Sequence, residues 1–184
     1  MEPDPFEPFA PQVRARLIAE DWRAAERTRW PRRKVAILTC MDSRIDVFDR
    51  LGLDSGDAHV IRNAGALVTD DMLRSLVISQ RKLGTREVVL IGHTDCGLQG
   101  LDDEAFDADL VAEAGVHPSW RAGGFGEVAD SVRRGFERLA TCAFLPHREH
   151  LSAYVLDVSS GSLREVGHDH APSGQVPVDP TRAS

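Results

Sequence analysis

Residues 34 to 39 read Lys-Val-Ala-Ile-Leu-Thr, a short apolar run with β-branched residues that stops at Cys40. This pattern is typical of a buried strand, and it puts Cys40 at the C-terminal end of that strand. Two similar runs lie at 58–61 and 87–91, and polar residues or glycine follow each of them. The sequence therefore predicts three strands that each end at a polar turn or loop.

A helix is predicted between the second and third runs. Thr69 or Asp70 can cap its start, and Gly84 can end it. Its core-facing residues share one helical face and are Leu73, Leu76, Val77 and Leu83. Such a strand-helix-strand unit usually forms a right-handed parallel crossover, with ligands bound outside the carboxyl ends of the strands. We therefore expect Cys40 and the segment 93–96 to converge.

The rest of the chain completes the predicted α/β fold. Residues 153–158 and 163–166, separated by a Ser-Ser-Gly turn, are expected to form a final hairpin. Another amphipathic helix is predicted from the spacing of Val128, Val132, Phe136 and Leu139. The fold class is thus a mostly parallel β-sheet flanked by helices, with an antiparallel edge strand.

Three segments are predicted along the chain. Residues 1–33 are interpreted as an N-terminal helical arm, residues 34–166 as the α/β domain, and the polar residues 167–184 as a flexible C-terminal tail. The apolar contacts of the arm would be Leu17, Trp22 and Trp30.

Composition narrows the choice of partners and location. The 184 residues carry a net charge of -7, so no basic field exists to attract nucleic acid or an anionic membrane. The acidic, proline-rich start lacks the features of a secretory signal, and no apolar run approaches membrane-spanning length, which predicts a cytoplasmic protein. Three widely spaced cysteines, at 40, 96 and 142, do not suit a disulfide framework.

Cys40, His93 and Cys96 are candidate ligands of one metal ion. His93 and Cys96 are three positions apart after a strand, and Cys40 supplies a second thiol. Zinc accepts thiolate and imidazole in tetrahedral geometry, and three protein ligands with one open position are typical of a catalytic site. The alternative is that both cysteines are buried apolar residues and that His93 is a hydrogen-bonded loop histidine. The presence of all three at one sheet edge favours a metal site.

Asp42 and Arg44 are two residues apart in the loop after the first predicted strand. A bidentate pair between them would fix the direction of the Asp42 carboxylate, which could then accept a hydrogen bond from water activated by zinc. The alternative is an exposed ion pair of little consequence. Spacing alone does not decide between these two interpretations.

Three motifs follow one another in the chain. They are Cys40-Met41-Asp42-Ser43-Arg44, Ile61-Arg62-Asn63-Ala64-Gly65-Ala66 and His93-Thr94-Asp95-Cys96-Gly97, with Leu83-Gly84 before the last. In order and spacing they resemble the motifs of β-class carbonic anhydrases, most closely the short bacterial subgroup. The resemblance is strong from about Lys34 to Gly100.

The resemblance implies zinc-dependent reversible hydration of carbon dioxide to bicarbonate and a proton. It maps the zinc ligands onto Cys40, His93 and Cys96, and a catalytic dyad onto Asp42 and Arg44. Residues 34–166 would then be the zinc-binding catalytic domain. The family also implies a homodimer or a higher homo-oligomer, with the arm placed on a neighbouring subunit.

Other activities are compatible with the same motifs. Thr94 stands where serine is frequent in the family, and Leu98 stands where a second glycine often follows Cys96-Gly97. Hydrolases of carbonyl sulfide and carbon disulfide share the motifs, so hydrolysis of one of these molecules is the alternative reaction. A non-catalytic zinc or thiol module is an alternative of another class, but neither a structural zinc nor a disulfide switch needs Asp42 and Arg44.

Several remaining residues are interpreted as structural. Cys142 lies away from every motif and is not proposed as a ligand. His59 alternates with apolar residues in a strand, which favours a hydrogen-bonded, half-buried histidine over a proton shuttle. The segment 168–170, His-Asp-His, is interpreted as part of the solvated tail. With no evident shuttle residue, proton release is assigned to buffer or a chain of waters.

Overall fold

The computed structural model describes residues 28–166 and 175–176. The strands are β1 (Val35–Cys40), β2 (Ala58–Asn63), β3 (Glu87–His93), β4 (Leu151–Leu156), β5 (Leu163–Glu165) and β6 (Gln175–Val176). The α-helices are α1 (Val47–Leu51), α2 (Asp70–Leu83), α3 (Asp103–Ala114) and α4 (Val128–Ala140), and a short 3₁₀ helix covers Ala64–Ala66.

The strands form one sheet in the order β2-β1-β3-β4-β5-β6. Strands β1 to β4 are parallel to one another, whereas β5 pairs antiparallel with β4, and β6 pairs antiparallel with β5. The predicted fold class is therefore confirmed, and the predicted final hairpin is β4 with β5. β6 adds a second short antiparallel strand beyond that hairpin.

The predicted arm and tail fall mostly on residues 1–27, 167–174 and 177–184, which lie outside the described residues. This applies to the predicted arm contacts Leu17 and Trp22 and to the segment 168–170. Residues 28–33 form turns and bends, and Gln175 and Val176 form β6. The division into arm, domain and tail stays a prediction.

β1 lies in the centre of the parallel part of the sheet. All six of its residues are buried, and β2 pairs with it on one side and β3 on the other. Its one buried hydroxyl is satisfied, since Thr39 Oγ1 donates to the Ile91 carbonyl at 2.9 Å. Thr39 is also the register partner of Ile91, so the ends of β1 and β3 reach the same edge of the sheet.

α2 begins and ends where its sequence signals predict. The Thr69 hydroxyl caps the helix by accepting from the Met72 amide, and Gly84 ends it at φ 77°, in the left-handed region. Leu76 is fully buried, as predicted. Of the other residues predicted on this face, Leu73 and Val77 pack against the core half-buried.

α4 packs closely on β3 and β4. Val128, Val132 and Leu139 are buried as predicted, and Phe136 packs against the core half-buried. A Cβ on Gly92 would lie 2.5 Å from Val132 Cγ2, so the helix can approach the strand only because residue 92 has no side chain. This contact supports the end of β3 just before His93.

No helix within the described ranges is long and apolar enough to cross a membrane. The cytoplasmic location expected from the sequence stays a prediction.

Candidate active site

The ends of β1 and β3 bring together Cys40, His93 and Cys96. Their sulfur and nitrogen donor atoms all lie within 4.8 Å of one another, and all three residues are buried. Cys40 ends β1, His93 ends the neighbouring parallel strand β3, and Cys96 follows three residues later. The convergence expected from the sequence is therefore present.

The hydrogen bonds of His93 leave one ring nitrogen available to a metal. Its Nδ1 lies 2.8 Å from the Thr94 carbonyl oxygen, which can only accept, so Nδ1 carries the proton and donates. In the neutral imidazole Nε2 is then the nitrogen that carries the lone pair, and it is buried without a hydrogen-bond partner among the described residues. A buried nitrogen in that state is costly unless a cation or donor meets it. A carbonyl on the other ring nitrogen is the usual partner of a metal-bound histidine.

The two thiols complete a donor set that suits zinc. Burial raises the pKa of the Cys96 thiol, and the nearby Cys40 raises it further. The Gly65 amide lies 3.3 Å from Cys40 Sγ and donates to it. Two sulfurs and one imidazole nitrogen fit a divalent cation that deprotonates its thiol ligands.

Asp42 is held by Arg44 beside this donor set. Arg44 Nε donates to Asp42 Oδ1 at 3.0 Å and Nη2 donates to Oδ2 at 2.8 Å, which is the bidentate arrangement considered from the sequence. The Arg44 backbone amide adds a third bond to Oδ1 at 2.9 Å. Asp42 Oδ2 lies 3.9 Å from His93 Nε2, so the carboxylate borders the position that a metal would take.

These contacts determine the charge state of the pair. The side-chain hydrogen bonds of Arg44, followed by its backbone amide, hold the pKa of Asp42 well below its usual range. The Asp42 carboxylate, with help from Asp95, raises the pKa of Arg44 further above neutrality. Asp42 is therefore an ionised hydrogen-bond acceptor at neutral pH, and not a group that stores a proton.

Sequence reasoning assigned no role to two residues that contact this site. Arg62 Nε donates to the Cys40 carbonyl at 2.8 Å, and its Nη2 donates to the Asp42 carbonyl at 2.6 Å. Asp95 accepts from Arg44 Nη1 at 2.6 Å. Both lie within the quoted motifs, but only the fold reveals their partners, because those partners are distant in the chain.

His59 and Cys142, which were interpreted as structural residues, both lie outside the candidate metal site. His59 is half-buried, with Nδ1 2.8 Å from Ser79 Oγ and Nε2 3.0 Å from the Arg29 carbonyl, so the prediction of a hydrogen-bonded histidine is confirmed. Cys142 packs half-buried against the core and is not part of the donor cluster.

Comparisons with known proteins agree with this geometry. The family model described as carbonic anhydrase matches residues 35–114. The chain is 44% identical over 136 residues to beta-carbonic anhydrase 1 of Mycobacterium tuberculosis, covering 74% of this chain and 83% of that protein. It is 50% identical over 157 residues to a carbon disulfide hydrolase of Saccharolobus solfataricus, covering 72% of this chain and 77% of that protein. The crystal structure of carbonic anhydrase from Streptococcus mutans superposes with a TM-score of 0.74 at 37% identity, covering 88% of this chain and 99% of that one.

Proposed function

Because the chain belongs to the β-class carbonic anhydrase family, it is a zinc enzyme that hydrates carbon dioxide reversibly, and we propose which of its residues bind the zinc and which take part in catalysis. Cys40, His93 and Cys96 hold the zinc, and Asp42 and Arg44 are the catalytic pair. One observation carries the proposal: His93 Nε2, buried and without a partner in the described part of the chain, faces two thiols and lies 3.9 Å from a fixed carboxylate.

Zinc held by Cys40, His93 and Cys96 would supply acidity to a water molecule, lowering its pKa toward about 7 so that a nucleophile exists at neutral pH. Asp42 accepts a hydrogen bond from the attacking oxygen and so directs a lone pair toward the carbon of CO₂. Arg44 keeps Asp42 ionised and fixes both carboxylate oxygens by its two side-chain bonds. Arg62 holds the backbone carbonyls of Cys40 and Asp42, which fixes the loop that carries the pair.

Hydrolysis of carbon disulfide is the second candidate, since a relative of 50% identity carries that name. The same donors and the same Asp42 would serve it, so the reacting groups do not separate the two reactions. A non-catalytic zinc or thiol module is less well supported, because a structural zinc has no need of a carboxylate fixed beside it.

The test combines zinc analysis with stopped-flow CO₂ hydration and a carbon disulfide assay on one preparation. Wild type should contain about one zinc per chain and hydrate CO₂. Asp42→Ala should keep the zinc and lose about 100-fold in kcat/KM, since it lacks only the orienting acceptor. Asp130→Ala is the matched control, because Asp130 forms an exposed ion pair with Arg133 on α4. An Asp42→Ala enzyme as fast as the Asp130→Ala control would remove the pair from the mechanism, and turnover of carbon disulfide alone would favour the second candidate.

We also propose a homodimer or a higher homo-oligomer. Several large apolar side chains are exposed on the single chain, and such surfaces often mark contacts between subunits. They include Met41, Val116, Trp120 and Phe144. Light scattering should give a mass of at least twice 20.2 kDa. A monomer with full CO₂ hydration activity would contradict this.

A further inference from the structure

Arg44 uses both edges of its guanidinium group, and only one edge faces Asp42. On the other edge, Nη1 donates to Asp95 Oδ2 at 2.6 Å and Nη2 donates to the Asp95 carbonyl oxygen at 2.8 Å. With the two bonds to Asp42, the side chain makes four hydrogen bonds in one plane. Arg44 therefore bridges two carboxylates, one from each of the loops that carry the zinc donors.

Asp95 supplies the contact that relates these two loops. Asp42 and Arg44 belong to the same loop, so their mutual bonds fix them to each other without fixing them to His93 and Cys96. Asp95 lies between His93 and Cys96 in the chain, and its bonds to Arg44 span 51 residues. Among the described residues, Asp42 and Asp95 are the partners of the Arg44 side chain.

The backbone of Asp95 has an unfavourable conformation that makes this contact possible. Its φ is 53°, in the left-handed region that is unfavourable for a residue other than glycine. Glycine would adopt this conformation without strain but would lack a carboxylate. In the observed conformation the carbonyl and the carboxylate of Asp95 both reach Arg44.

We propose that Asp95 is a positioning residue of the catalytic site. It holds Arg44, and through Arg44 the Asp42 carboxylate, in a fixed position relative to the zinc donors. This rests on the proposed function of Asp42 and Arg44. The Asp95 carboxylate is 79% exposed, so solvent screens its charge at longer range, and Asp95 acts through its short charge-assisted hydrogen bond to Arg44. Loss of the contact between Asp95 and Arg44 should lower kcat by about tenfold. KM should change little, because CO₂ is uncharged and neither Asp95 nor Arg44 has a proposed role in binding it.

Two variants separate positioning from simple structural support. Asp95→Asn keeps the shape and tolerance of the left-handed backbone but removes the charge, whereas Asp95→Gly removes the side chain and relieves the strain. Both should retain about one zinc per chain, and Asp95→Gly should unfold at the same temperature as wild type or higher. Both should nevertheless lose kcat. A structural role would instead make activity follow stability. Asp130→Asn serves as the control for removal of a surface charge.

A second measurement follows Arg44 itself. In ¹⁵N NMR spectra, the Nε–H signal of Arg44, assigned by its disappearance in Arg44→Lys, should be sharp in wild type and broadened by exchange in both Asp95 variants. This readout does not depend on turnover, so it tests Asp95 even if wild type hydrates no CO₂ and the proposed function fails. An unchanged Arg44 signal with unchanged kcat in both variants would overturn the proposal. Loss of zinc in both variants would also overturn it, since Asp95 would then support the donors and not Arg44.

Discussion

Replacement of Gly65 by alanine should destabilise the fold and weaken zinc binding together. Gly65 has φ 75°, in the left-handed region, and its amide donates to Cys40 Sγ at 3.3 Å. A Cβ at this position would lie 2.8 Å from Leu98 Cδ2 and 3.3 Å from Phe125 Cε1. One methyl group therefore strains the backbone and crowds the side chains at the point where the Cys40 sulfur is held.

The magnitude follows from these two effects. A left-handed conformation costs a residue with a Cβ roughly 1–2 kcal/mol. Overpacking costs about 1–3 kcal/mol, and the low end applies because the closest atom is the tip of the half-buried Leu98 side chain. The free energy of unfolding should therefore fall by about 2–3 kcal/mol, or roughly 4–12 °C in Tm for a chain of this size. A shift of the amide away from Cys40 should weaken zinc binding by about 10–100-fold, the usual cost of losing a contact to a metal ligand.

Denaturant unfolding of the metal-free protein, at one fixed protein concentration, measures the first effect. Competition with a chromophoric zinc chelator measures the second. Gly97→Ala is the matched control, because Gly97 adjoins Cys96 but a Cβ there would meet no heavy atom within 4 Å. The control should change the free energy of unfolding by less than about 0.5 kcal/mol. Equal stability and equal zinc affinity in the two variants would refute the reasoning.

Three further outcomes are expected. Cys40→Ser and Cys96→Ser should each lose the zinc while Cys142→Ser retains it, as elemental analysis would show; zinc retained in either of the first two would exclude that sulfur as a ligand. Zinc uptake at pH 7 should release protons, because burial raises the pKa of the Cys96 thiol and the metal must displace its proton; binding heats that do not vary with the ionisation enthalpy of the buffer would disprove this. Asp57→Asn should be less stable than wild type at pH 7, and the difference should vanish in acid. The backbone amide of Asp54 and neighbouring arginines lower the pKa of Asp57 in the folded protein. The stabilisation by ionised Asp57 is therefore fully present above the unfolded pKa of about 4, and it is lost as pH falls through the folded pKa. A difference in Tm between the two proteins that stays constant down to pH ~2 would contradict this.

Much of the fold could be predicted because its signals are local. The β1 run, the Thr69 cap and the Gly84 terminator act over a few neighbouring residues, and all three are present as expected. The sheet order was less accessible, because insertion of β1 between β2 and β3 depends on pairing between distant segments. β6 was not predicted, since a two-residue strand has no periodicity to recognise.

The candidate metal donors could be read from the chain alone, because thiols and an imidazole at the ends of apolar runs must meet at one edge of a parallel sheet. How those donors are held depends on contacts that the folded domain makes. The bare Nε2 of His93 follows from a local carbonyl contact, whereas the second partner of Arg44 is Asp95, 51 residues away. That partnership requires both the register of β1 against β3 and a left-handed backbone at Asp95. Neither is encoded in local spacing, because strand register and strained dihedral angles are stabilised by contacts made across the whole domain.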